Sequence, residues 1–166
     1  MPRSIDGTFL QLINDNIGIP HKISRIYGRS IEEREDLLQE MMYQLWRAFE
    51  SFDQRSQFST WMYRVCLNTA LTYKRKSGKA QAESISFSHY EIPDPLVENQ
   101  EEAISLLYDA IASLSPLNKA IIMLSLEELS YEEIARITGL SRSNVSVRLV
   151  RIKKELEKSL RKRLTP

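Results

Sequence analysis

The chain has 166 residues, 42% hydrophobic and 27% charged, with 5 Gly, 6 Pro and a formal charge of +1. This is the composition of soluble globular chains and excludes collagenous, disordered and membrane-spanning classes; the longest unbroken apolar run, Ala120 to Leu124, is far short of the roughly 20 residues a bilayer span needs. Met1-Pro-Arg-Ser-Ile-Asp-Gly7 has no apolar run behind its Arg, so no signal peptide is expected. The single cysteine, Cys66, forms no internal disulfide, and His21 and His89 stand far apart in the chain. No metal site, cofactor or Cys/His chemistry is therefore expected, and a reducing, cytoplasmic setting is.

The small net charge conceals segregation. Residues 1–80 carry 12 Lys/Arg against 9 Asp/Glu, residues 81–113 carry 7 acids and no base, and residues 114–166 carry 11 bases against 6 acids. Within the last block, residues 141–166 hold nine bases and two acids. Such basic density faces polyanions, nucleic acid or anionic lipid, unless it is only the solvated side of an amphipathic helix.

In chain order, Phe9-Leu10-x-Leu12-Ile13 and Ile23-x-x-Ile26-Tyr27 predict two short helices, the second entered through Pro20. From Ile31 to Glu50, apolar residues recur at three- and four-residue spacing and Ser30-x-x-Glu33 has capping-box spacing, which predicts one long amphipathic helix. Leu37, Leu38, Met41, Leu45 and Phe49 share one arc of it. Asp36, Gln39, Glu40, Tyr43 and Arg47 share the opposite arc, with Met42 and Trp46 at its edge. The segment from Phe52 to Phe58 reads as a loop. A second long helix is predicted from Ser59 or Thr60 to about Lys76, apolar on more than one side through Trp61, Met62, Val65, Leu67, Leu71 and Tyr73. It is expected to be packed on both faces, with Trp61 in the core. No stretch alternates as a sheet strand would, so residues 1–78 read as an all-α unit.

Residues 79–102 change character: acids dominate and Ile92-Pro-Asp-Pro95 cannot continue a helix, as expected of a linker. Helical periodicity resumes at Ile104-x-x-Leu107-Tyr108-x-x-Ile111, and Ser115-Pro116 opens a further helix. Residues 103–166 therefore form a second helical domain. Its stretch Ser130 to Leu149 has the spacing of a helix-turn-helix. Ser130 and Glu133 can form a capping box, Ile134 and Ala135 face inward, Gly139 takes the sharp turn, Leu140 fills the corner and Ser141 caps the next helix. Val145, Leu149, Ile152, Leu156 and Leu160 form one inward stripe. Arg142, Ser143, Ser146, Val147, Val150 and Arg151 are left outward, flanked by Asn144 and Arg148. Short polar side chains, methyl groups and two arginines suit a helix in the major groove, where bases are read by hydrogen bonds and methyl contacts.

The stretch Asp36-Leu-Leu-Gln-Glu-Met-Met-Tyr-Gln-Leu-Trp-Arg-Ala-Phe-Glu-Ser-Phe-Asp53, followed by Phe58-Ser-Thr-Trp-Met-Tyr-Arg-Val-Cys-Leu-Asn-Thr-Ala70, resembles the region-two domain of bacterial sigma factors. Leu114-Ser-Pro-Leu-Asn118 through Leu149 resembles their region-four domain. Two such motifs joined by a short linker are similar to the extracytoplasmic-function group. The resemblance implies a non-enzymatic promoter-recognition factor whose partners are core RNA polymerase, promoter DNA and an anti-sigma factor. It implies a polymerase-facing arc of Asp36, Gln39, Glu40, Met42 and Trp46, where apolar anchors at the edge strengthen an interface. It further implies −10 contacts from Phe52 and Asn68, lining a pocket for an unpaired base, with Lys74, Arg75 and Lys76 on phosphate. The −35 duplex would be read by Ser141, Arg142, Ser143, Asn144, Ser146, Val147, Arg148, Val150 and Arg151, while the acidic linker would thread the polymerase.

The residues alone leave alternatives. Phe52 can equally belong to the core and Asn68 cap a carbonyl; the arc of α-helical polar residues can be a plain solvent face, and the linker a solubilising spacer. A stand-alone helix-turn-helix repressor or activator, with residues 1–80 as a dimerisation or ligand domain, is the main rival. An interaction adaptor is the second.

Overall fold

The computed structural model describes residues 7–77 and 100–165. Its regular elements are α1 (Gly7–Asp15), α2 (Gly18–Tyr27), α3 (Ile31–Ala48), a 3-10 turn (Phe49–Ser51), α4 (Phe58–Ser77), α5 (Gln100–Ala112), α6 (Pro116–Leu126), α7 (Tyr131–Thr138) and α8 (Arg142–Leu164). No strand occurs among the described residues, as the absence of alternating patterns predicts. The chain divides into two units, Met1–Lys76 and Ser77–Pro166.

In the first unit, α3 buries Leu37, Met41 and Leu45 completely. These residues pack with α2, whose Ile23, Ile26 and Tyr27 are also buried. Ser30 caps α3 by accepting from the Glu33 backbone N–H at 3.1 Å. The Glu33 carboxylate reaches one residue further back than a capping box requires, accepting from the Arg29 N–H at 2.6 Å. The α-helix stops at Ala48 rather than at Glu50, because the chain tightens into a 3-10 turn closed by Phe52 N–H to Phe49 C=O at 3.1 Å. That turn aims Phe49 into a cluster of rings. Its centroid lies 4.7 Å from Phe9, 6.4 Å from Phe58 and 6.3 Å from Trp61. Offset and edge-on ring pairs of this kind each add about 0.5–1.5 kcal/mol beyond their buried area.

On α4 the buried stripe is Met62, Tyr63, Cys66, Leu67 and Ala70. The expectation of a helix packed on both faces is corrected: Trp61, Val65, Leu71 and Tyr73 are half-buried, while Arg64, Asn68 and Thr72 are exposed. Tyr63, Cys66 and Ala70 carry the inner side, which frees the face of Val65 and Asn68 for a groove.

In the second unit, α5 begins at Gln100, inside the stretch 79–102 read as linker; residues 79–99, with His89, lie outside the described residues. Ser115 caps α6 and Pro116 occupies its first turn. Six consecutive residues of α6, Lys119 to Leu124, are buried, so the middle of this helix is enclosed on all sides. It packs with α5, α7 and α8. The α7 capping box is complete: Glu133 N–H donates to Ser130 Oγ at 3.2 Å and Ser130 N–H to the Glu133 carboxylate at 2.8 Å. Gly139 follows α7 at φ 78°, its N–H donating to Ala135 C=O at 2.9 Å. Ser141 then caps α8 by accepting from Asn144 N–H at 3.2 Å. Val145, Leu149, Ile152 and Leu156 form the buried stripe of α8, with Leu160, Ala135 and Leu140 half-buried around it.

The left-handed backbone at Gly139 is the one point between α7 and α8 that a side chain would strain. Gly139→Ala is expected to lower the stability of the second unit by about 1–2 kcal/mol, since nothing within 4 Å would clash and the cost is backbone alone. Urea unfolding followed by circular dichroism measures it; an unchanged midpoint would contradict the turn's role.

Candidate nucleic-acid interface

The burial of Val145, Leu149 and Ile152 decides what α8 presents. Ser141, Arg142, Ser143, Asn144, Val147, Val150 and Arg151 are exposed, Val147 by 50% and Val150 by 54%. Ser146 and Arg148 are half-buried at the margins of this face. Arg148 bridges two helices: its guanidinium donates to Asn144 Oδ1 at 3.0 Å and to Asn118 Oδ1 on α6 at 3.2 Å. Arg142 is held back against α7 by Glu132, 3.1 Å away, with both side chains mostly exposed. An exposed pair of this kind is worth little energetically and is easily exchanged for a stronger anion. Beyond Arg151 the exposed basic side continues through Lys154, Lys158 and Lys162.

In the first unit, α3 and α4 enclose an open groove of about 910 Å³. Asp36, Gln39, Glu40 and Tyr43 line it from α3, and Asn68, Thr72, Tyr73 and Lys76 from α4. Asp36, Gln39 and Glu40, expected to face polymerase, and Asn68 and Lys76, expected to face DNA, thus share one concave surface. Met42 is half-buried at the edge of the α3 arc, and Trp46 is 49% exposed, its ring 6.3 Å from that of Tyr43. Burial, together with the Glu33 and Asp36 carboxylates, pushes the Tyr73 phenol above its ordinary value.

Phe52 is half-buried, 5.3 Å from Trp61 and 5.5 Å from Phe58. Trp61, expected in the core, is itself half-buried. Asn68 follows Trp61 by two turns on the same side of α4, roughly 10 Å along the axis. Asn68 lines the α3–α4 groove, whereas Phe52 sits with Phe58 and Trp61 and is not among the residues that line it. The loop after Phe52 is shaped by Asp53, which accepts from the Arg55 N–H at 3.1 Å and pairs with its guanidinium at 3.0 Å. Gln54 turns the corner at φ 61°.

Arg75 and Lys76 are exposed at the end of α4. Lys74, expected on phosphate with them, is paired within the fold: its ammonium lies 2.5 Å from the Glu33 carboxylate, with the two side chains only 10% and 12% exposed. Helical register turns it toward α3 while its neighbours turn outward. Sequence reasoning passed over the exposed cations Arg55 and Arg64, and the groove residues Thr69, Thr72 and Tyr73. Counting exposed bases beside the loop would have found the first two; the groove exists only once α3 and α4 are packed.

The family descriptions "Sigma-70 region 2" and "Sigma-70, region 4" match residues 13–80 and 104–156. The sigma-E factor of Escherichia coli strain K12, an extracytoplasmic-function RNA polymerase sigma factor, is 30% identical over 152 residues, covering 82% of this chain and 80% of its own. The chain belongs to the extracytoplasmic-function sigma factors. The sigma factor YlaC of Bacillus subtilis is 28% identical over 138 residues, covering 80% of each. Among solved structures, the sigma factor RpoE of Bartonella quintana, in complex with the anti-sigma factor NepR, has the same fold at a TM-score of 0.70 and 20% identity. It covers 93% of this chain and 97% of that one. CnrH, in complex with the cytosolic domain of CnrY, matches at 0.63 and 20% identity over 92% and 86% of the two chains.

As a sigma factor, the protein is a non-enzymatic, RNA polymerase-binding factor for promoter-specific initiation, and the stand-alone repressor is not favoured. No helix among the described residues is long and apolar enough to cross a membrane, and none of their His, Cys, Asp and Glu side chains group as a metal site.

Cys66 lies on the buried side of α4, and burial pushes its thiol up to about 12. The nucleophile is the thiolate, so the folded protein at pH 8 should resist a thiol-specific disulfide reagent and react at an ordinary rate once denatured. Equal labelling before and after denaturation would show that this side of α4 opens readily.

Proposed function

We propose that the two units divide promoter recognition between them, α3 holding core polymerase, the Phe52 loop and α4 the melted −10 strand, and α8 the −35 duplex. The observation that carries this reading is the exposed face of α8, where Arg142, Ser143, Val147, Val150 and Arg151 stand outward opposite a fully buried stripe. Serines and arginines can hydrogen-bond base edges while valines contact thymine methyl groups, and a helix so armed fits the major groove. Asn144 and Ser141 flank it toward the backbone, with Ser146 and Arg148 at its margins.

The half-exposed Phe52 supports a stacking role, since its free side offers a ring to an unpaired base. Asn68 supplies an amide for the base edge further along, and Arg75 and Lys76 supply charge for the flanking phosphates. Asp36, Gln39 and Glu40 with Met42 and Trp46 offer the polar centre and apolar rim of a protein interface. Residues 1–78 and 103–166 act as the two recognition domains, and the acidic 79–102 segment spans them. Separate weak modules become effectively intramolecular once polymerase fixes their spacing, which explains why neither needs a large footprint of its own. A cytoplasmic setting follows from these partners. The anti-sigma factor NepR, bound to one of the solved relatives, supports a regulator of the same kind for this chain.

Gln39→Lys with Glu40→Lys should leave helix content and melting unchanged, because both side chains are exposed, yet abolish co-elution with core polymerase on a sizing column. Undiminished co-elution would make the arc a solvent face.

Arg151→Ala should weaken −35-dependent initiation by about 1–3 kcal/mol on some promoter sequences and less on others, as loss of a base contact does. Lys158→Ala, beyond the reading face, should weaken it evenly across sequences. Transcription from a panel of −35 variants separates the two; equal losses everywhere for both would mean that α8 holds DNA without reading it.

A further inference from the structure

We propose that the Glu33–Lys74 pair is a positioning device for the DNA-facing end of α4, so that Lys74 serves the −10 contact through Glu33 rather than by touching phosphate. This rests on the assignment of α4 to the −10 strand.

Glu33 is immobilised before Lys74 reaches it. Its backbone N–H donates to Ser30 Oγ at 3.1 Å and its second carboxylate oxygen accepts from Arg29 N–H at 2.6 Å. The preceding turn is locked in its own right. Arg34 Nε donates to Gly28 C=O at 3.2 Å, and Gly28 N–H donates to Ser24 C=O at 2.8 Å. A Cβ on Gly28 would stand 2.8 Å from that same Ser24 oxygen and 2.5 Å from Arg34 Cγ, so the turn admits no bulkier residue. The carboxylate that meets Lys74 is thus fixed to backbone at the start of α3.

The pair spans 41 residues of sequence and joins the first turn of α3 to the last turns of α4. Each charge sits where its own helix favours it, the anion at an N-terminus and the cation at a C-terminus. With side chains 10% and 12% exposed, water screens the contact poorly, and removing either partner leaves the other charge stranded. The neighbours on α4 show what the contact holds. Asn68, Thr72 and Lys76 line the groove opposite Asp36, Gln39 and Glu40, and Arg75 is exposed beside them. Asn68 and Lys76 are separated by roughly 12 Å of helix. A helix end released from its anchor can tilt or fray over that length, moving both the amide and the cations. Without Lys74, the chain would retain its outward charges but not their placement.

The test uses the full chain assembled with core polymerase, reading co-elution on a sizing column, thermal unfolding of the free chain, and permanganate reactivity of thymines near −10. Lys74→Met and Glu33→Gln should each co-elute like the parent and keep its helix content, while open-complex formation falls about tenfold, the scale of coupling within one ion-pair network. Lys74→Arg should restore opening. The salt dependence of opening should keep its slope in Lys74→Met, whereas Lys76→Ala should reduce it by about one, as loss of a phosphate contact does.

Normal opening in Glu33→Gln together with a loss in Lys74→Met would overturn the proposal in favour of a direct phosphate contact, as would a changed salt slope in Lys74→Met. Loss of helix content and co-elution along with opening in both variants would overturn it in favour of a purely structural pair. Failure of the parent chain itself to co-elute or to open a promoter would instead refute the assignment of α4 to the −10 strand, which the variants do not address.

Discussion

Burial of Leu37, Met41 and Leu45 on α3, and of Val145, Leu149 and Ile152 on α8, is the constraint from which the surfaces of this protein follow. A helix that must hide such a stripe has no rotational freedom left, because turning it would expose several large side chains, each worth about 1.5–3 kcal/mol. The polar arc of α3 and the serine–arginine face of α8 are consequently presented in a defined direction. The outward surface of both helices is a by-product of core packing on their opposite side.

The two units solve the placement of their helices differently. In the second, local devices suffice: a capping box, a left-handed glycine and a serine cap place α8 relative to α7 within a dozen residues, and α6 supplies the enclosed core. In the first, long-range contacts are required. Phe49 gathers rings from α1, the loop and α4, and Glu33 meets Lys74 across 41 residues. The surface that results is correspondingly composite, with α3 and α4 both lining the groove that holds Asp36, Gln39, Glu40, Asn68 and Lys76.

Charge is used sparingly where it matters. The exposed cations of α8 are partly held by weak pairs, Glu132 with Arg142 and Glu157 with Arg161, which a phosphate could displace. Lys74 is the exception, since its partner is nearly buried and rigidly held. A run of three basic residues at a helix end is thus split by helical register into one paired cation and two exposed ones.

The helices, their caps and the outward face of α8 were legible in the amino-acid order, since capping boxes, Gly139 and three-and-four spacing are local and a helix's rotation follows from its own apolar stripe. The family resemblance was legible for the same reason: both motifs are continuous stretches. Tertiary structure decided what surrounds the end of α3, where a 3-10 turn sets Phe49 against Phe9, Phe58 and Trp61. It also decided that α4 turns one face to a groove, since Tyr63, Cys66 and Ala70 fill the core in place of Trp61 and Val65. Above all it decided the surroundings of Lys74: sequence records a cation at a helix end, whereas the tertiary structure sets a carboxylate of α3 alongside it.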